Sequence, residues 1–159
     1  RYADKTDAYL KAVEKAYPNT TKPSDYIDID LAAFRPGMVK HANLKADFGG
    51  APVYAYLFTW QSPVNDGMYK AIHCIELGFV FNNIDRCQEM TGGGKEAKIL
   101  EDKMSQAWIN FARTGNPAHK GLPSWPAYTS QNGATMFFDN KVEVRNHHDK
   151  ELIEISSGK

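Results

Sequence analysis

The sequence predicts an α/β fold from three features. One long apolar run reads as an interior parallel strand, amphipathic helical patterns flank it on both sides, and a paired β signal stands near the carboxyl end. Residues 3–17 form the first helical pattern, with Leu10, Val13 and Tyr17 at helical spacing, Lys11, Glu14 and Lys15 between them, and Pro18 as the stop. After a polar loop over 19–23, Ser24 or Asp25 caps a short second helix. Pro36 opens a third that carries Val39, Ala42 and Phe48 on one side until Gly49-Gly50 breaks it.

Residues 51–60 are almost wholly apolar, aromatic or β-branched, with no polar residue before Thr59, the signature of a strand buried on both faces. Ser62-Pro63 and Asn65-Asp66-Gly67 then supply turn chemistry, so His73 lies beyond the strand's carboxyl end, the edge at which open α/β sheets build their sites. Thr91-Gly92-Gly93-Gly94 reads as a hinge or loop tip. The clearest helix runs over 95–113, where Ala97, Leu100, Met104, Ala107, Trp108 and Phe111 make one apolar stripe, and Gly115 with Pro117 ends it. Residues 134–138 and 141–145, around Asp139-Asn140, read as a short terminal hairpin.

Composition narrows the function classes. With 159 residues, 42% hydrophobic and 24% charged, the chain has the make-up of one globular domain with a real core. Nineteen basic residues balance nineteen acidic ones, which argues against nucleic-acid binding or attraction to an anionic membrane. No apolar stretch is long enough to span a bilayer, and no basic-then-apolar leader pattern stands at the N-terminus. A start at Arg1 with a helical pattern almost at once suggests a piece of a longer polypeptide, leaving localisation open, with a secreted or periplasmic site compatible. Cys74 and Cys87 lack zinc-ligand spacing; a bridge between them would close a small loop after His73, and two free thiols are the preferred reading.

A histidine beyond a strand end, such as His73, can act as general base if a nucleophile and an orienting carboxylate meet it, but composition and spacing alone favour a structural histidine. Glu76, three residues on, is placed to share a helical turn with it and to modulate its charge, although a carboxylate serving local backbone or arginine donors is the preferred reading. Cys74 reads as a buried structural thiol, and Ser62 and Ser105 lack the strand-turn-helix elbow of a nucleophile. His147-His148-Asp149 reads as a solvated loop, and His41 and His119 as surface residues. Trp108 and Phe111 read as core, and Trp125-Pro126 with Tyr128 as a loop packed over the long helix.

Taken together, several blocks resemble the type-B carboxylesterases, the α/β-hydrolase branch that includes the cholinesterases. They are Asp28-Ile29-Asp30, Phe34-Arg35, residues 51–59, His73-x-x-Glu76-Leu77-x-Phe79-Val80-Phe81, Trp108-x-x-Phe111-Ala112-Arg113-x-Gly115-Asn116-Pro117 and Trp125-Pro126-x-Tyr128. They span nearly the whole chain, in the family's order. The resemblance implies the C-terminal portion of a single α/β-hydrolase catalytic domain over residues 1–159, comprising a parallel-sheet strand, a histidine loop, a long terminal helix and a short terminal β-hairpin. It also implies that His73 is the catalytic histidine of a serine-histidine-acid ester hydrolase that needs no metal or organic cofactor and acts on a small-molecule carboxylic ester.

In this superfamily the triad runs serine, acid, histidine along the chain. No Gly-x-Ser-x-Gly occurs here, and Asp25, Asp28, Asp30, Asp47 and Asp66 lack the surroundings of the family's triad acid. The segment is therefore expected to be inactive alone, and to associate with the rest of the hydrolase domain or with itself. The same fold also serves as a non-catalytic interaction module in relatives that have lost the triad, which is the alternative reading.

Overall fold

In the computed structural model, residues 2–31 and 34–157 are described, with the side chains of Asp28, Asp30 and Leu31 also outside the described set. The first resemblance block thus falls partly beyond what is described. Helix α1 (Thr6–Ala16) follows a 3-10 turn at Ala3–Lys5 and buries Tyr9, Ala12, Val13 and Ala16, one face at helical spacing. Leu10, expected on that face, is exposed. Helix α2 (Pro23–Leu31) starts on the proline, and its Asp25 carboxylate reaches back to accept the Thr21 and Lys22 amides at 3.0 and 2.9 Å. Asp25 therefore works from inside the first turn, where a carboxylate satisfies otherwise unpaired N–H groups.

Helix α3 (Phe34–Phe48) ends where Gly49 and Gly50 adopt left-handed φ values of 82° and 86°. It differs from the sequence expectation in burying no residue: Phe34, Met38, Leu44 and Phe48 all face solvent. Val39 and Ala42 are half-buried, so the apolar side of this helix is only partly covered among the described residues.

Strand β1 (Ala55–Phe58) runs parallel to β2 (Ala134–Phe138), which pairs antiparallel with β3 (Glu143–Asn146), giving the sheet order β1-β2-β3. The parallel strand and the terminal hairpin are thus parts of one sheet. The interior role falls on β2, which is buried at all five positions. β1 is paired along one side only and is half-buried with Tyr56 exposed, so the expectation of burial on both faces fails among the described residues. An aromatic, apolar strand at a sheet edge needs a neighbour that these residues do not supply.

Helices α4 (Glu76–Val80), α5 (Gln88–Thr91) and α6 (Lys95–Thr114) lie between β1 and β2 in the chain. Phe79, Leu100, Met104, Ala107, Met136 and Phe138 form the main core between α4, α6 and the sheet. Trp108 is half-buried, meeting Tyr56 edge-on at 4.9 Å, and Phe111 is exposed, so the α6 stripe is narrower than its sequence pattern. A second cluster forms where α1 meets α7 (Lys150–Ser156), around Val13 and Leu152.

Candidate active site

The carboxyl ends of β1 and β2 are bound together before the chain leaves the sheet. The Thr59 and Trp60 amides both donate to the Phe138 carbonyl, the Thr59 hydroxyl donates to Asp139 and the Trp60 indole N–H donates to Asn140. This fixes the exit direction of the loop that carries His73.

The loop is then organised from inside. Ser62 is buried; its hydroxyl donates to the Met90 carbonyl and accepts the Val64 amide at 3.1 Å, and its own amide donates to the Lys70 carbonyl. A side chain so engaged holds a turn and offers no free nucleophile, as the sequence indicated. Asn65 and Asp66 take left-handed φ values of 51° and 55°, a conformation these residue types tolerate. Lys70 reaches across to Asp25 at 2.7 Å, tying the loop to the start of α2. That ion pair and the two backbone amides hold the Asp25 carboxyl well below the usual carboxylate range.

His73 sits in the turn between this anchor and the buried Ile75, immediately ahead of α4. Its imidazole is exposed, and among the described residues no carboxylate hydrogen-bonds to it. Glu76 is the first residue of α4, half-buried, so His73 lies on the preceding turn and not in a shared helix. Glu76 faces Tyr56 electrostatically, where its charge adds to burial in raising the tyrosine hydroxyl's pKa.

Cys74 departs from the expected burial. It is exposed, with a left-handed φ of 70°, which turns the chain sharply after His73. Both cysteines are free thiols. They line one cleft of about 190 Å³ together with Leu77, Gly78, Phe81 and Met90.

One contributor went unmarked in the sequence. Glu101 on α6 is buried and accepts the Ile84 amide at 2.8 Å, with Lys98 at 3.6 Å, pinning the turn after α4. Its signal was its place: Glu101 falls within the apolar stripe of α6, where a carboxylate needs a buried donor.

The remaining histidines are also corrected in part. His41 is exposed as expected. His119 is half-buried and engages both ring nitrogens, with the Lys103 carbonyl and the Gly121 amide. His147 is exposed, whereas His148 is half-buried between Tyr17 and Phe137, and Asp149 is buried against Arg35. His148 and Asp149 therefore form a packed junction, while His147 stays exposed as expected of a solvated loop. No group of three or more histidine, cysteine or acidic residues able to hold a metal is found among the described residues.

The family model for the Carboxylesterase family matches residues 5–155. The chain belongs to that family. It is 33% identical over 141 residues to a para-nitrobenzyl esterase of Bacillus subtilis (strain 168), covering 87% of this chain and 28% of that protein. It is 40% identical over 101 residues to a phenmedipham hydrolase of Pseudarthrobacter oxydans, covering 58% of this chain and 20% of that protein.

Among solved structures, an esterase from anaerobic Clostridium hathewayi that can hydrolyse aliphatic aromatic polyesters superposes with a TM-score of 0.83 at 32% identity, covering 99% of this chain and 30% of that one. The carboxylesterase segment thus spans under a third of the length of these relatives. Its fold is part of a carboxylesterase α/β-hydrolase, with a small mixed sheet and helices. Among the described residues, no helix is long and apolar enough to cross a membrane.

Proposed function

We propose that this segment supplies the general base of a carboxylic ester hydrolase, and that His73 is that base. The observation that carries the reading is the placement of His73, exposed in the turn that follows the carboxyl end of β1 and held between the Ser62–Lys70 anchor and the buried Ile75. A general base needs an accessible ring on a fixed backbone, and this turn provides both.

In the proposed reaction, His73 takes the proton of a serine hydroxyl as that oxygen attacks the ester carbonyl, then returns it to the departing alcohol. In the second half-reaction it activates water to release the acyl group. The serine, the oxyanion donors and the acid that orients His73 come from polypeptide outside this segment, so the segment alone turns over no ester. The half-buried Glu76 carboxylate contributes a local negative charge beside the histidine turn. The chemistry needs no metal or organic cofactor.

The test is His73→Ala in the complete polypeptide that carries this segment, assayed on a p-nitrophenyl ester and normalised to folded protein. Met104→Ala, which removes a fully buried α6 side chain, is the matched control; it should cost roughly 2–5 kcal/mol of stability and reduce activity only as folded protein is lost. His73→Ala should abolish turnover with unfolding nearly unchanged. Near-parental activity, or loss only in proportion to unfolding, would overturn the assignment and favour an interaction module.

A further inference from the structure

Cys74 and Cys87 flank the same small cleft from two directions. Cys74 is exposed and turned by its left-handed backbone, while Cys87 is half-buried at the end of the Ile84–Arg86 turn. Gly78 of α4 lies beside Cys87: a Cβ added there would lie 3.7 Å from the Cys87 Sγ. The Asn83 amide donates to the Gly78 carbonyl at 2.9 Å, folding the chain back so that the segment carrying Cys87 is laid against α4. Two thiols lining one cleft of about 190 Å³ differ from two thiols scattered on a surface.

We propose that Cys74 and Cys87 form a dithiol modification site that takes small-molecule disulfides, of the oxidised-glutathione class, and closes to an intramolecular disulfide. The accessible Cys74 thiolate attacks one sulfur of the reagent, forming a mixed disulfide and releasing one thiolate. The Cys87 thiolate then attacks the Cys74 sulfur, the protein disulfide forms, and the second reagent thiolate leaves. Each protein thiol loses one proton and one electron, and the reagent is reduced to two thiols. Closure ties the turn bearing His73 covalently to the turn held by Glu101, two segments that flank α4.

The experiment treats the complete polypeptide that carries this segment, natively folded, with oxidised glutathione. Remaining thiols are then blocked, and tryptic peptides are mapped without reduction. Cleavage after Lys70, Arg86 and Lys95 separates the cysteines into peptides 71–86 and 87–95. The expected product is a species joining these two peptides, lighter by about 2 Da than their sum. It should be lost in Cys87→Ser, which stops at the glutathione adduct on Cys74, and should form far more slowly in denaturant. A wild-type protein that carries only separate glutathione adducts, or that bridges equally fast when unfolded, would overturn the proposal. The readout is a mass and not a rate of hydrolysis, so its failure would leave the ester-hydrolase reading untouched.

Discussion

Arg35 and Asp149, at the start of α3 and immediately before α7, meet in a two-pronged ion pair, with Nε and Nη2 donating to the two carboxylate oxygens at 2.7 and 3.0 Å. The Asp149 side chain is 3% exposed and that of Arg35 is 18% exposed. Such a pair fixes direction as well as distance, because a planar guanidinium matches a carboxylate only along its edge. Asp149→Ala should leave a largely buried guanidinium uncompensated and destabilise the protein by roughly 3–5 kcal/mol. Replacing both residues by apolar ones should cost less than the single change. Chemical denaturation of the single and double variants measures the coupling, and additive losses would show the pair to be independent.

His148 borders that junction, edge-on to Tyr17 at 5.1 Å and to Phe137 at 4.6 Å, with its buried Nε2 lacking a hydrogen-bond partner among the described residues. Burial lowers its pKa from 6.5 to about 4, with Arg145 and Arg35 adding to the effect and Asp149 opposing it. The unfolded chain therefore binds this proton more readily than the folded one. The stability difference is absent above about pH 6.5, grows as pH falls toward 4, and levels off below it. Thermal unfolding across that window should show an acid loss that is smaller in His148→Phe, which keeps the ring contacts without a titrating nitrogen. Parallel curves for the two proteins would contradict the assignment.

Lys70 and Asp25 connect the His73 loop to α2, a link no local sequence signal gives. If it positions the proposed base, Lys70→Ala in the complete enzyme should lower kcat several-fold with KM little changed, since substrate binding is not its task. Lys70→Arg should restore most of the rate. An effect confined to KM, or none after correction for folded protein, would make the ion pair a structural tie alone.

The order of these elements was legible because local chemistry dictates it. Gly49-Gly50 and Gly115 mark helix ends, and the aromatic run over 55–58 reads as a strand. Burial was less legible. Phe48, Tyr56 and Phe111 read as core from their apolar character, yet burial depends on a partner surface, which covers these residues only in part here. The converse holds for Asp149 and Glu101, whose charges suggest solvent although each is sealed by a donor distant in sequence. At the site, the position of His73 was readable from turn residues, whereas its anchoring by Ser62, Lys70 and Asp25 depends on contacts across 8 to 45 residues that no periodicity encodes.

Ser62 provides the most direct test of that anchoring. Its hydroxyl joins two backbone groups, the Met90 carbonyl ahead of the glycine turn and the Val64 amide at the start of the histidine loop. Ser62→Ala removes one oxygen from a site that is 1% exposed and leaves both partners without it. Unsatisfied groups of this kind cost roughly 1–3 kcal/mol. The loss should be local first, because the sheet and α6 core do not depend on this hydroxyl. Amide hydrogen exchange should accelerate over residues 62–75 more than in β2 or α6. Uniform acceleration would instead show Ser62 to support the whole fold, and unchanged exchange in the loop would mean that His73 is held by Lys70 and Ile75 alone.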